Sequence, residues 1–250
     1  MRKQMPEMRA VRPGTPGLDV FKIAGASISG WCPSEKAIGR GRQPFTTQLE
    51  FMLGLYLEYH PSVARYQRGD MSAAFARAHQ LEAPLGTPYA ITYLFEGVAH
   101  DYLPDFVGTL CDGKLLIAEA GRAEEKAKGR GAAKADAARR LAQLQGGVSW
   151  LGTEKTLSRC RHQNLIFLHT RRQPFPTFPE IAPVILSLWR MCPGLAVAEV
   201  VAHLGQRWSQ AEVEMATWKL VADAAATGHL VLDLSTVSLD LATPIILLDP

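Results

Sequence analysis

The chain has 250 residues, of which 47% are hydrophobic and 20% are charged, a composition typical of a globular protein. Its net charge of +3 permits nucleic-acid binding without requiring it, because overall charge says nothing about clustering. We find neither a secretory h-region nor an apolar run of about 18 residues, so we expect a cytoplasmic protein without a membrane span.

Residues 1–42 are rich in proline and glycine, and their basic residues outnumber their acidic ones. We interpret this segment as a basic, flexible leader. Two roles stay open for it: a segment that lies along phosphates, or a solvated leader without a ligand.

Residues 48–59 have the apolar spacing of an amphipathic helix, preceded by threonines that are candidate N-caps. Glu50 lies in the first turn beside the apolar stripe, where its carboxylate is either directed at a sheet or exposed on the helix surface. Residues 71–88 have no clear period, so the role of the insertion at 68–90 stays open.

The stretch 91–121 predicts three short strands separated by turns. We expect them at residues 91–95, 98–106 and 114–120, with turns at Glu96-Gly97 and Asp112-Gly113.

This strand order places two carboxylates, Asp105 and Glu119, at adjacent strand ends. Neighbouring carboxylates repel unless a cation lies between them, and hard oxygen ligands suit Mg²⁺ or Mn²⁺. The pattern therefore indicates a metal site. The alternative is an ordinary turn residue and a solvated strand end.

Residues 122–144 form a charged, alanine-rich segment that predicts a helix, weakened early by Gly129 and Gly131. Its basic residues suit a DNA backbone, although a solvated helix face explains them equally well. They are Arg122, Lys126, Lys128, Arg130, Lys134, Arg139 and Arg140, against Glu124, Glu125 and Asp136.

The rest of the chain predicts two strands, a proline-rich boundary and a second, smaller domain. We expect the strands at 148–151 and 165–168, the boundary at 171–179, and domains at 43–172 and 180–250. The second domain reads as helices at 182–190, 196–204 and 210–225 followed by a hairpin of 230–234 and 243–247, an order that resembles a winged helix. Acidic residues on its third helix favour protein docking over reading of the major groove.

The acidic helix residue, the Pro-Asp-Phe sequence and the acidic strand residue together resemble the PD-(D/E)xK nucleases. More narrowly, they resemble the TnsA-like endonuclease subunits of heteromeric transposases over about residues 43–160. The matching segments are Thr47-Gln48-Leu49-Glu50, Tyr66-Gln67, Tyr102-Leu103-Pro104-Asp105-Phe106, Asp112-Gly113-Lys114 and Ile117-Ala118-Glu119-Ala120-Gly121.

The resemblance implies an α/β fold with a restriction-endonuclease-like mixed sheet flanked by helices, followed by a winged-helix-like domain. It also implies that Asp105, Glu119 and the Ala120 carbonyl hold Mg²⁺ or Mn²⁺ with help from Glu50. The implied reaction cuts double-stranded DNA at the 5′ ends of a transposon, leaving a 5′-phosphate and a 3′-hydroxyl. The implied partners are a DDE transposase and an AAA+ ATPase regulator, with no membrane.

One position departs from this family, whose motif has a lysine where this chain has Gly121. Lys114 is a poor substitute, because strand alternation directs it to the face opposite Glu119. We take Lys126 as the candidate without separating it from Lys128, and Arg122 can neutralise charge but cannot act as a base. Two states follow: an active nuclease with a relocated cation, or a degenerate nuclease fold that binds DNA and partners.

Two further functions stay open on sequence grounds. A transcriptional regulator would use the winged-helix segment, against which the acidic third helix argues. A stand-alone restriction or repair nuclease would use the same carboxylates without transposition partners.

Overall fold

A computed structural model describes residues 30–38, 41–69 and 91–248. The chain divides into two compact units: unit 1 comprises Met1–Glu58 and Ser62–Leu157, and unit 2 comprises Tyr59–Pro61 and Ser158–Pro250. The two units therefore meet between Leu157 and Ser158, earlier in the chain than the boundary predicted at 171–179. The chain divides after Leu157 because the helix that follows packs against another helix of unit 2.

The described part of unit 1 consists of strands and helices in mixed order. The strands are β1 (Gly30–Pro33), β2 (Arg42–Phe45), β3 (Val63–Arg68), β4 (Ile91–Phe95), β5 (Val98–Tyr102), β6 (Phe106–Leu110), β7 (Leu115–Ala120) and β8 (Val148–Gly152). The helices are α1 (Gln48–Glu58), α2 (Ala123–Ala127) and α3 (Gly129–Leu144).

The central sheet of unit 1 is mixed, with strand order β3-β6-β7-β8. β3 pairs with β6 and β6 with β7 in antiparallel fashion, whereas β7 and β8 run parallel. β7 has the sequence LLIAEA and is buried on both faces, as expected for a strand covered by helices. The predicted α/β class, a mixed sheet flanked by helices, is confirmed at this level.

Alternation along β7 divides the core of unit 1 between the two sheet faces. Leu116 and Ala118 pack with Met52 and Leu57 of α1. Ile117 packs on the other face, with α3 and with the tyrosines of the β4–β5 hairpin. Glu119 therefore shares the face that α3 and this hairpin cover.

The predicted strand 98–106 is in fact two strands. β5 ends at Tyr102 and pairs with β4 in a separate hairpin, whereas Phe106 begins β6 in the central sheet. Pro104 lies in the interruption, where a residue without an amide hydrogen cannot continue a ladder. The predicted turns at 96–97 and 112–113 are both present.

Part of the predicted leader is folded. Residues 1–29 lie outside the described residues, but β1 pairs with β2, and Ala37 bridges to Tyr66. The buried carboxylate of Glu58 holds this segment, since it accepts hydrogen bonds from the Ser34 hydroxyl and from the Glu35 amide, the latter at 3.0 Å. Residues 30–38, which were predicted as part of a flexible leader, thus belong to the folded part of unit 1. Of the insertion at 68–90, residues 70–90 lie outside the described residues.

The described part of unit 2 contains the helices α4 (Arg159–His169), α5 (Phe178–Met191), α6 (Val197–Leu204) and α7 (Gln210–Thr227). Its helices at 182–190, 196–204 and 210–225 were predicted within a few residues. The predicted strand 165–168 is wrong, because these residues lie in α4. Ser158 caps that helix by accepting from the Arg161 amide, and the buried Leu165 and Leu168 follow helical spacing.

The predicted hairpin of 230–234 and 243–247 forms no strands among the described residues. The two segments meet at a single bridge, Leu230 with Leu247, and the Val231 amide donates to the Ile246 carbonyl at 2.9 Å. The buried side chain of Asn164 holds the intervening loop instead. Its amide donates to the carbonyls of Leu234 and Val237, at 2.9 and 2.6 Å.

No helix within residues 30–38, 41–69 and 91–248 combines the length and the apolar character that crossing a membrane requires.

Replacing Asn164 tests whether this one side chain organises the loop of unit 2. Asn164 also accepts from the Leu239 amide at 3.0 Å, so Asn164→Ala removes the partner of three backbone groups. We expect the free energy of unfolding to fall by about 3 kcal/mol, because each buried group left unsatisfied costs about 1–3 kcal/mol. Urea denaturation measures the change. The exposed neighbour Gln163→Ala is the control, and equal effects of the two substitutions would contradict the assignment.

Candidate active site

Asp105 and Glu119 are brought together by the pairing of β6 with β7. The register pairs Phe106 with Ala118, so Asp105 lies across from Glu119. The Oδ2 atom of Asp105 accepts a hydrogen bond from the Ala120 amide at 2.7 Å. This bond fixes the Asp105 carboxylate at the end of β7.

The chain around Asp105 is further held by Gly69 at the end of β3. The Gly69 amide donates to the Asp105 carbonyl at 3.2 Å. A Cβ atom at position 69 would lie 2.1 Å from the Pro104 carbonyl oxygen, a distance that no side chain tolerates. Glycine at this position therefore allows the corner before β6 to approach β3 and places Asp105.

Lys126 of α2 contacts the second carboxylate. Its Nζ atom lies 2.7 Å from Oε2 of Glu119, and the two side chains are only 13% and 5% exposed. A Cβ atom at position 121 would lie 2.4 Å from Cε of Lys126. The lysine side chain thus lies in the space where a side chain at 121 would begin, and glycine leaves that space to it.

The other candidate cations have different partners. Lys114 precedes β7 and pairs with Asp112 at 2.7 Å, in the turn. Lys128 pairs with Glu124 at 3.0 Å, and its side chain is 75% exposed. Neither of these ion pairs involves Glu119. The structure therefore separates Lys126 from Lys128, which the sequence left as alternatives.

Burial and charge act together on Asp105. Burial is the main cause that raises its pKa from 3.8 to about 6, and the charge of Glu119 adds to this effect. The hydrogen bond from the Ala120 amide and the charge of Lys126 act in the opposite direction, and Glu50 makes a small raising contribution. Burial, followed by the charges of Glu119 and Asp105, also raises the pKa of Tyr102. Tyr102 thus belongs to the surroundings of both carboxylates.

Glu50 has a structural role at the start of α1. It forms a capping box with Thr47: the Glu50 amide donates to the threonine hydroxyl at 3.2 Å, and Oε2 accepts from the Thr47 amide at 3.3 Å. Oε2 also lies 2.5 Å from a guanidinium nitrogen of Arg68, and both side chains are less than 10% exposed. Glu50 therefore influences Asp105 through its charge while its carboxylate is held by α1 and β3.

One buried oxygen of the carboxylate pair has no hydrogen bond within the described residues. Oε1 of Glu119 is buried and has no hydrogen-bond partner in the described part of the chain. Groups of three or more His, Cys, Asp or Glu residues that would hold a metal are absent from the same residues. Two carboxylates still fit Mg²⁺, which proteins often bind through one or two carboxylates, with water and substrate phosphate completing the shell.

Sequence reasoning did not identify Arg68, Gly69 or Tyr102 as parts of this site. Arg68 ends β3 and Gly69 follows it, and no local sequence pattern predicts the pairing of β3 with β6. The sequence did offer a signal for Tyr102, because this aromatic residue lies shortly before Pro104-Asp105 in the chain.

Comparison with protein-family models and with curated proteins finds no match for this chain.

The raised pKa of Asp105 predicts a dependence of stability on pH. The folded state binds more protons than the unfolded state between about pH 4 and pH 6, so the free energy of unfolding falls as pH rises through this window. Asp105→Asn removes the titrating group and retains an oxygen that accepts from the Ala120 amide. We expect this variant to be more stable than wild type above pH 6, by up to about 3 kcal/mol, since one pKa unit is worth about 1.4 kcal/mol.

Urea denaturation in EDTA across pH 3 to 8 measures this difference, which should vanish at the acidic end. Parallel pH profiles for the two proteins would show that Asp105 does not titrate in a buried environment.

A second substitution separates the structural role of Glu50 from a metal-binding role. Glu50→Ala removes the carboxylate that accepts from the Thr47 amide and faces the buried Arg68, so we expect a loss of about 3–5 kcal/mol in the free energy of unfolding. Thermal and urea denaturation without metal report this loss. Unchanged stability of the variant would contradict the structural role of Glu50 and favour a metal-binding role.

Proposed function

We propose that unit 1 is a Mg²⁺- or Mn²⁺-dependent DNA endonuclease of the PD-(D/E)xK type, acting as a TnsA-like subunit of a heteromeric transposase. The observation that carries this proposal is the contact of Lys126 with Glu119, at 2.7 Å, beside the fixed Asp105. Two acids and a lysine thus meet at the ends of adjacent strands although the motif position of the lysine is Gly121. A relocated lysine supports the active state over the degenerate one.

The carboxylates are suited to hold the metal. The unpartnered Oε1 of Glu119 is buried, and Asp105 is destabilised as an anion by burial and by Glu119, so a divalent cation would stabilise both groups. Ala120, whose amide fixes Asp105, would contribute its carbonyl oxygen. When bound, the ion would polarise the phosphodiester and lower the pKa of the attacking water.

The residues of the chain would supply positioning and charge. The Ala120 amide holds the Asp105 carboxylate in place, and Lys126 supplies a positive charge where negative charge develops on the phosphoryl group. The products would be a 5′-phosphate and a 3′-hydroxyl at the 5′ ends of the transposon. A DDE transposase would cut and join the 3′ ends.

Unit 2 is proposed as the module that docks the AAA+ ATPase regulator. Its helices follow the order of a winged helix, although its predicted hairpin forms no strands among the described residues. On α7, Lys219 lies 2.9 Å from Asp223, and Glu212 is engaged by the Ser209 cap. A helix whose lysine is paired with an acid has little positive charge to offer to a DNA groove. Binding to a protein therefore suits this unit better than recognition of a DNA base sequence.

The second candidate function is a non-catalytic scaffold that keeps the nuclease fold to bind DNA and transposition partners. One observation favours it. Glu50 is held by α1 and Arg68, which leaves two carboxylates rather than three for a metal.

Moving the lysine tests the catalytic proposal. We expect Lys126→Ala to lower cleavage of the 5′ strand by about 100-fold, the usual cost of losing one charge-stabilising donor. Adding Gly121→Lys in that background should restore part of the activity, because the space next to position 121 is then vacant. The assay follows labelled transposon-end DNA with Mg²⁺ or Mn²⁺ in the presence of the transposase and the ATPase.

Two controls complete this experiment. Lys128→Ala removes an exposed lysine paired with Glu124 and should leave cleavage unchanged. Asp105→Ala should abolish the cuts in the 5′ strand and leave the cuts in the 3′ strand unchanged. Identical products from wild type and Asp105→Ala would leave the scaffold as the function.

A further inference from the structure

A cavity of about 410 Å³ lies next to the carboxylates, at the end of β7. Ala120 and Gly121 form one side of it, and α2 and α3 supply the rest. Its charged lining consists of Lys126, Arg130 and Lys134 against the single acid Glu125. The cavity is thus basic, and its size lies in the range of pockets that bind small ligands.

The basic residues of segment 126–140 fall into two groups, those with a carboxylate partner among the described residues and those without one there. Lys126 and Lys128 pair with Glu119 and Glu124. Arg139 and Arg140 both pair with Asp136. Arg130 and Lys134, by contrast, have no carboxylate partner in the part of the chain that the structure describes. Their positive charges are available to a ligand in the cavity.

Neutral tyrosines of the β4–β5 hairpin hold these two cations. The Nε–H of Arg130 donates to the Tyr93 hydroxyl, and the guanidinium lies 5.8 Å from the ring centroid. The amine of Lys134 lies 5.3 Å from the Tyr102 ring, whose hydroxyl donates to the Lys134 carbonyl at 2.9 Å. Aromatic partners orient a cation without cancelling its charge. The remaining donors of the Arg130 fork stay free for an anion.

A second cavity, of about 470 Å³, also contacts the site and is lined by Glu119, α3 and β8. Lys126 lines both cavities. A ligand that occupies both would pass the Glu119–Lys126 pair, and a polymer with repeated negative charges does so more readily than an isolated anion.

We propose that Arg130 and Lys134 bind a DNA backbone phosphate in the first cavity, next to the phosphodiester that is cut. A guanidinium matches two phosphate oxygens at once, and the lysine adds a point charge. This role rests on the nuclease function proposed above. It extends that function, because it assigns binding of the DNA backbone to two residues outside the carboxylate site. Tyr93 and Tyr102 are their positioning residues.

A pair of matched double variants of the full chain tests this subsite. Arg130→Gln with Lys134→Gln removes the two cations of the cavity. Lys128→Gln with Arg140→Gln removes the same charge at two exposed residues that line neither cavity and that pair with Glu124 and Asp136. The probe is a fluorescein-labelled, mixed-sequence DNA duplex, because phosphate contacts are independent of sequence. Fluorescence anisotropy in EDTA over a series of salt concentrations measures affinity and its salt dependence.

We expect the cavity variant to bind about tenfold more weakly at low salt and its log–log salt slope to be smaller by about 1, the change for one lost phosphate contact. The control variant of Lys128 and Arg140 should change affinity by less than about twofold, because these charges are exposed and each is paired with a carboxylate. Tyr93→Phe keeps the ring and removes the hydroxyl that accepts from Arg130, so an intermediate loss is expected. Thermal melting checks that each variant is folded.

Equal weakening by both double variants, or none by the cavity variant, would overturn the subsite. Inorganic phosphate titrated into the protein supplies a further arm: loss of phosphate binding in the cavity variant with unchanged duplex binding would identify a free anion as the ligand and overturn the DNA assignment. These results are distinguishable from failure of the nuclease. A protein that binds the duplex as expected but never cuts keeps the subsite and loses the catalytic proposal, whereas one that cuts with unaltered binding loses the subsite alone.

Discussion

The buried ion pair between Glu119 and Lys126 is the interaction on which the candidate site depends. An amine and a carboxylate that are almost completely removed from water require each other, because either charge alone would be strongly unfavourable there. The pair links the end of a central strand to a five-residue helix in which none of the residues is buried. Without the ion pair, little apolar packing would hold this helix beside the carboxylates.

The same environment makes Asp105 unfavourable as an anion. A protein optimised for stability alone would place an amide or an apolar residue at such a position, since the charge is both buried and close to a second carboxylate. Strongly perturbed acids of this kind are typical of sites where a cation or a proton is exchanged. The arrangement therefore has a cost in stability that a bound cation would offset, which is the usual relation between function and stability.

Local sequence patterns predicted the parts of the fold that depend on local rules. The helix at 48–58, the strand at 148–152 and the turns at 96–97 and 112–113 follow from periodicity and turn residues. The segment 165–168 misled the prediction, because four apolar residues fit a strand and a buried helix turn equally well. The hairpin predicted at 230–234 and 243–247 failed for another reason. The loop between these segments is held by Asn164, some 70 residues away in sequence, and local patterns do not predict such a contact.

The candidate site shows the same division. The proximity of Asp105 to Glu119 follows from a hairpin register that turn residues indicate. The contact of Lys126, rather than Lys128, with Glu119 does not, because it depends on the space beside Gly121 that the Lys126 side chain enters and on where α2 begins. The capping role of Glu50 was legible in the sequence Thr47-Gln48-Leu49-Glu50, whereas its contact with Arg68 required the position of β3.

The space beside Gly121 also bears on how a sequence motif is searched for. The Lys126 side chain lies where a side chain at 121 would begin, so a larger residue there would require the end of Lys126 to move. Under the proposed function, a search pattern that demands lysine two residues after the strand acid would pass over this chain. A pattern that also accepts glycine at that position, with lysine five residues further on, would retrieve it.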